Sequence, residues 1–233
     1  MSAIFYSNFI RSKAVALFTG VLLVFPAIAQ EAGKVVRLSG DPTVTSLANQ
    51  TRKLSKDDPV SVGDTISCGD DCSVMLRMKD NATMLVRAKS KIKINEFKFD
   101  NQASDTSKTT VLAGTMRAVS GQIGKGQPDN VKYAAGTATI GIRGTEIEVG
   151  MIPDGQKDRA GTYDYVYDGA TVMTLASGES AEIEKELTGF APTTLLAGEK
   201  PLQILRDRPA FIQSGGFDAL MNQLTAPHIP VGR

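Results

Sequence analysis

The chain reads as an all-β domain on three observations. Apolar residues alternate with polar ones in short runs from Lys34 onward; glycine, aspartate and asparagine separate the runs; and helical periodicity is nearly absent before the C-terminus. The expected architecture is a short β-solenoid or a sandwich-like domain of short strands, followed by a short C-terminal helix. Solenoid character is suggested by Gly-Asp and Asp-Gly corners that recur before alternating strands.

Arg11 and Lys13 precede an apolar run from Ala14 to Ala29 that ends in Ala27-Ile28-Ala29. This pattern reads as a cleavable signal peptide over residues 1–29. An uncleaved anchor is the alternative, disfavoured because Gly20 and Pro26 interrupt a run that is short for a span. Export places Cys68 and Cys72 in an oxidising compartment, where a disulfide across a short hairpin loop is expected. A redox or metal pair is the alternative, without the usual spacing and without a histidine nearby.

Val74, Leu76 and Met78 alternate with polar or second-face residues. Asp80-Asn81 offers a turn, and Met84, Val86 and Ala88 resume the pattern, which predicts a hairpin. Ile92 and Ile94 then give way to Phe97 and Phe99, a change of parity that requires a bulge near Glu96. Residues 100–110 are small, polar and aperiodic, so they read as a long loop. After Val111 to Gly121 and a glycine-rich loop from Gly124 to Asn130 comes the most informative stretch, Val131 to Val149. There Ile140 and Ile142 lie on even positions and Ile147 and Val149 on odd ones, so one residue must be absorbed, most naturally at Gly144. A further unit covers Thr162 to Ile183. Within residues 184–233, read as a C-terminal extension, Phe217, Leu220, Met221 and Leu224 have the spacing of one helix face, and Pro227 and Pro230 mark a flexible tail. The helix is expected to cover an open sheet edge, or else to dock on a partner.

Composition excludes several classes. Of the 26 basic residues, removal of Arg11 and Lys13 leaves 24 against 25 acidic ones, with no basic cluster, so nucleic acid is not an expected partner. No second stretch is apolar enough to span a membrane. His228, the one histidine, lies in the tail, which argues against a histidine-dependent triad or a multi-histidine metal site. Ser90 and Lys93 have Ser-x-x-Lys spacing, but on a strand rather than at a helix start. Asp57-Asp58 and Asp70-Asp71 read as turn acids rather than calcium ligands. No catalytic residue, metal or cofactor is expected.

Two sites qualify for binding. Arg143 stands at the expected kink beside Glu146 and Glu148, either fixing the corner with its guanidinium fork or contacting an anion. Tyr163, Tyr165 and Tyr167 alternate along a strand, either as an exposed row able to stack on sugars or grip a peptide, or as cover for the core edge.

Gly63-Asp64-Thr65-Ile66-Ser67-Cys68-Gly69, Ser73-Val74-Met75-Leu76, the segment from Leu112 to Gly121, and Ala138-Thr139-Ile140-Gly141-Ile142-Arg143-Gly144-Thr145 together resemble, in that order, the FecR domain. The resemblance spans residues 34–183. It implies an exported β module of the kind named for a ferric-citrate signalling regulator, which relays receptor occupancy to a sigma factor. No cytoplasmic segment of the sort that holds a sigma factor is expected, since the one hydrophobic segment reads as cleavable. The expectation is therefore a non-enzymatic periplasmic or secreted protein, binding an envelope protein or glycan. The alternative is a scaffold that oligomerises through sheet edges.

Overall fold

The computed structural model describes residues 30–212. The expected signal peptide, the helix around Phe217 and the tail with His228 lie outside the described residues. In chain order the strands are β1 (Glu31–Ser39), β2 (Thr43–Thr45), β3 (Thr51–Lys53), β4 (Pro59–Ser61), β5 (Thr65–Ser67), β6 (Ser73–Met78), β7 (Thr83–Val86), β8 (Lys91–Lys98), β9 (Thr106–Val119), β10 (Val131–Ala135), β11 (Ala138–Ile152), β12 (Gly161–Leu175), β13 (Ser180–Glu184), β14 (Thr188–Pro192) and β15 (Gln203–Leu205). A short helix α1 (Gln122–Gly126) and two 3-10 turns, Pro128–Asn130 and Ala210–Ile212, complete them.

All fifteen strands belong to one sheet. Its pairings divide it into two arms that share three long, bent strands. One arm runs β4, β1, β6, β7, the second half of β9, the second half of β11, the first half of β12, β14 and β15. The other runs β3, β2, β5, β8, the first half of β9, β10, the first half of β11, the second half of β12 and β13. The inner faces of both arms enclose a continuous core that includes Val35, Met84 and Val166 from the first arm and Ile66, Ile92, Ile140 and Met173 from the second. The fold is thus sandwich-like. It is not a solenoid, because pairing is antiparallel everywhere except between β9 and β10.

Each long strand bends at a glycine with positive φ: Gly114 in β9 (+68°), Gly144 in β11 (+61°) and Gly169 in β12 (+79°). That backbone region costs an ordinary residue about 1–2 kcal/mol. In β11 the register shifts between Arg143 and Ile147. The bulge reverses parity there, so Ile140, Ile142, Ile147 and Val149 all reach the core. The second expected bulge, near Glu96, is likewise a register shift between Ile94 and Glu96, which buries Phe97. The hairpin at Asp80-Asn81 forms as β6 and β7, with Asn81 at φ +66°.

Three expectations need correction. Residues 106–110 are not loop but the start of β9, paired with both β8 and β10. Their inward residues are Ser107 and Thr109, small and polar, so the strand has no apolar signature. The turn itself is shorter, tied by Asp105, whose carboxylate accepts the N–H groups of Asp100 at 2.9 Å and Gln102 at 3.0 Å. Second, the sheet continues beyond Ile183 through β14 and β15. Third, Cys68 and Cys72 are disulfide-bonded with Cα atoms 5.3 Å apart, but in the crossover from β5 to β6 rather than in a hairpin. The bond therefore fixes the passage from one arm to the other.

The bends carry a testable requirement. A Cβ at Gly169 would stand 2.7 Å from the Gly144 carbonyl oxygen, whereas one at Gly126 meets nothing within 4 Å. Gly169→Val is expected to cost at least about 2 kcal/mol, from the left-handed backbone and the clash together. Gly126→Ala should stay within about 0.5 kcal/mol of the unaltered protein. Urea midpoints at constant slope decide this; equal midpoints for the two variants would remove the requirement.

Candidate functional site

The outer face of the first arm carries a row of directly paired residues, Met75, Leu85, Arg117, Glu148 and Tyr165, one from each of β6, β7, β9, β11 and β12. Because side chains alternate along a strand, this row points away from the core that takes Leu76, Met84, Ala118, Ile147 and Val166. The outer row is itself buried, and its centre is charged.

Glu148 is fully buried and sits between two bonded partners. Arg87 Nε lies 2.5 Å from its Oε1, and Arg87 Nη2 donates to its Oε2 at 2.9 Å. The Tyr167 hydroxyl donates to Oε2 at 2.8 Å. Arg117 pairs with Glu146 at 2.5 Å and lies over the Tyr167 ring, 3.7 Å from its centroid. Arg208 donates to the Tyr167 hydroxyl at 2.9 Å and stands 5.3 Å from the Tyr165 ring centroid. Burial, then the charge of Glu148, holds the Tyr167 phenol well above the ordinary range. The phenol therefore remains a donor, and the cluster is a closed network of charge-assisted hydrogen bonds and cation–π contacts.

The tyrosines consequently do not form an exposed row. Tyr163 is 4% exposed and Tyr165 7%, with Tyr167 half-buried between the two arginines. Tyr163 stacks on Phe190 at 4.5 Å, meets Phe211 edge-on at 5.2 Å and donates its hydroxyl to the Arg159 carbonyl at 2.6 Å. Burial raises its phenol to about 12. Alternation placed the three rings on one face correctly; the added cover comes from β14 and from residues 208–211, whose approach no local pattern encodes.

Arg143 stands at the β11 bulge with its side chain 62% exposed, 3.5 Å from Glu182 on β13. The corner's backbone is held by Ser120 instead. Its N–H and its hydroxyl both donate to the Thr145 carbonyl, at 3.0 and 2.9 Å, and its hydroxyl oxygen accepts the Thr145 N–H at 3.0 Å. Gly121 is needed beside it, because a Cβ there would lie 2.4 Å from the Ala82 nitrogen and 2.5 Å from the Asp80 carboxylate. Asp80, raised by burial, in turn accepts the N–H groups of Ala82 and Ile123.

Ser90 is also committed structurally. Its hydroxyl oxygen accepts the Thr115 N–H at 2.8 Å while its proton goes to the Ala88 carbonyl at 3.0 Å. Among the described residues no group of three histidines, cysteines, aspartates or glutamates is placed to hold a metal ion, and no helix is long and apolar enough to cross a membrane.

Asp164 is a second buried acid, facing inward from β12. The Thr171 hydroxyl donates to its Oδ2 at 2.5 Å across the Gly169 bend, and its Oδ1 has no hydrogen-bond partner. Burial lifts the carboxyl to about 7, against the lowering effect of Thr171.

The arm edges differ in kind. Edge strand β3 carries Arg52 and Lys53, β4 begins with Pro59, and β13 carries Glu182 and Glu184. Charges and proline blunt an edge against further pairing. β15, Gln203-Ile204-Leu205, has neither, and its Ile204 is exposed next to a loop with exposed Leu195 and Leu196. A shallow groove between β13 and β15 is lined by Ser180, Ala181, Leu202 and Ile204, with the charged Glu179 and Lys200 also on its wall.

Sequence reasoning missed Ser120, Arg87, Arg117, Glu148 and Arg208. A signal existed for two of them: Arg117 lies between Met116 and Ala118, and Glu148 between Ile147 and Val149, opposite charges inside two apolar strands. Asp164 gave none, since it alternates with tyrosines like any solvent-facing acid.

Two outcomes follow from this chemistry. Glu148→Ala strands the buried Arg87 and removes the acceptor of the Tyr167 hydroxyl, and is expected to cost about 3–5 kcal/mol, whereas Arg143→Ala, breaking an exposed pair, should cost at most about 1 kcal/mol. Chemical denaturation separates these values. For Asp164, the folded carboxyl keeps its proton up to about pH 7, while the unfolded one releases it near pH ~4. The folded state thus holds more protons in that window, so stability falls as pH rises through it and stays reduced above. Asp164→Asn retains an acceptor for Thr171 and is expected to raise the melting temperature at pH 8 and barely at pH 4; an equal shift at both would contradict the burial effect.

No protein-family model matches the chain, and no curated protein matches it. Among solved structures, a candidate anti-sigma factor from Parabacteroides distasonis ATCC 8503 is similar at 13% identity and a TM-score of 0.47, over 60% of this chain and 58% of its own. A second crystal structure of that description is similar at 10% identity and a TM-score of 0.44, over the same shares. A cell surface anchoring domain is 28% identical over 28% of this chain and 84% of its own, with a TM-score of 0.27. The matched region is thus under two thirds of the length of the anti-sigma structures.

Proposed function

We propose that this chain is a non-enzymatic, exported FecR-like module of envelope signalling that recognises another envelope protein through its β15 edge. The single observation that carries the reading is that edge: an uncharged strand with exposed Ile204, flanked by exposed Leu195 and Leu196, on a fold whose other edges carry charge or proline. An extended segment of a partner could add to it by backbone hydrogen bonds, with its side chains meeting the adjoining groove, where Leu202 and Ile204 stand beside Glu179 and Lys200.

Other observations support the same reading. The FecR-like segments fall on the frame: Leu112 to Gly121 supplies Gly114 and Ser120, and Ala138 to Thr145 supplies the β11 bulge. They account for the fold, so recognition is left to the periphery. The disulfide and the apolar segment before Gln30 fit an exported protein. With Tyr163 and Tyr165 buried, an open aromatic row for sugar stacking is lacking there, which favours a protein partner over a glycan. The same edge would serve self-association, which light scattering across a concentration series distinguishes.

The test is affinity capture from envelope extract using the unaltered chain and a Leu195→Asp, Leu196→Asp, Ile204→Asp variant, with circular dichroism to establish folding. A protein captured by the first and lost from the folded variant supports the reading. Equal capture by both, or sedimentation with isolated envelope glycan and no enriched protein, overturns it.

A further inference from the structure

The outer face of the second arm has a different chemistry from that of the first. The row of paired residues through Lys93 crosses from β3 to β13, and every other residue in it is threonine, serine or alanine. Among these small side chains Thr110 is ringed by four lysines. Lys93 is its direct partner on β8, Lys91 lies one row to one side, and Lys108 and Lys132 lie one row to the other. The four are spread over residues 91–132, so they form no basic run along the chain.

On the first arm the arginines are matched by acids; here the lysines are not. Lys108 pairs with Glu96 at 2.6 Å. Among the described residues no ion pair or side-chain hydrogen bond holds Lys91, Lys93 or Lys132. Lys132 and Lys108 are direct partners in the parallel register of β10 and β9, an arrangement of like charges that costs stability. The Lys132 amine lies over β11, where Gly141 leaves it room: a Cβ there would meet Nζ at 2.9 Å. Glu182, farther along the same row, is taken by Arg143. With Glu96 counted against them, the four lysines leave three positive charges on the face.

We propose that this face docks on an anionic bilayer surface, with the lysines on lipid phosphates and Leu112 entering the interfacial layer. Charge complementarity requires an anionic partner, and the spread of the lysines requires many anions at once. Lys91 and Lys132 stand two strands and four residues apart, roughly 16 Å, which no single phosphate or carboxylate bridges. A second copy of this chain would bring like charges together. Leu112 selects lipid over an acidic chain. The register shift between Lys91 and Ile92 leaves this leucine outward beside Lys91 and 46% exposed, and an apolar tip among lysines suits the boundary between headgroups and acyl chains. The docking face is separate from the β15 edge, which stays open to a protein partner while the second arm lies on the membrane.

Vesicle binding by the exported chain tests the docking face, with acetylation of lysine amines read by mass spectrometry. Vesicles of equal parts phosphatidylglycerol and phosphatidylcholine are expected to slow acetylation of Lys91, Lys93 and Lys132 at least several-fold. Lys34, exposed on β1 of the first arm, should keep its rate. Phosphatidylcholine alone should protect none of them, and ~1 M salt, where the Debye length is about 3 Å, should abolish the protection. A Lys91→Gln, Lys93→Gln, Lys132→Gln variant should bind the anionic vesicles about a hundredfold more weakly, since each lysine near such a surface contributes about fivefold. Acetylation is read on the unaltered protein, so the result stands even where the variant fails to fold. Equal protection of Lys34, protection of none of the lysines, or protection by soluble polyglutamate but not by vesicles overturns the proposal; the last outcome would identify an acidic protein segment as the occupant instead.

Discussion

Three long strands each serve both arms of the sheet, and everything else depends on how they bend. A strand carrying side chains on alternate faces cannot turn a corner and keep its apolar residues inside unless one residue is taken out of the alternation. In β11 that residue is at the Gly144 bulge, and the neighbouring bend in β12 at Gly169 lies so close that a Cβ there would stand 2.7 Å from the Gly144 carbonyl oxygen. Ser120 pins the bulge by three hydrogen bonds to Thr145, and Gly121 makes room for Asp80 to hold the following helix. Corner, hairpin and α1 are therefore one construction.

The bends also account for the two buried acids. Asp164 lies on the inner face of β12, where the Gly169 bend brings Thr171 back against it, and it remains in an apolar core with a single strong donor. Glu148 lies on the outer face of β11 and is neutralised by Arg87. The two solve burial differently: Asp164 by holding its proton, Glu148 by pairing. The first couples stability to pH; the second adds specificity of register, because a one-residue slip of β11 would turn Glu148 to the other face, away from Arg87 and Tyr167.

The centre of the first arm's outer face is occupied by its own pairs. The central residues there are bonded to one another, Arg143 is exposed with only a weak partner, and among the described residues the β15 edge with its leucine loop is uncharged and apolar. Little in the sequence marked that edge, since Ile204 and Leu205 are too few to form a pattern.

The sequence by itself determined the all-β class, the β6–β7 hairpin, the parity changes at Gly144 and Glu96, and the cysteine pair, because each follows from side-chain alternation or from spacing along the chain. It located the Gly144 bulge and offered Arg143 as either a corner fastening or an anion contact, but gave no sign of Ser120, 25 residues away, which bonds the corner's backbone. It read residues 106–110 as loop because Ser107 and Thr109 are buried without being apolar. Only the tertiary structure decided which tyrosines were covered, which charges met, and which edge was open. Those outcomes depend on which strands become neighbours, and strand order across a folded sheet is fixed by packing between distant segments rather than by any local pattern.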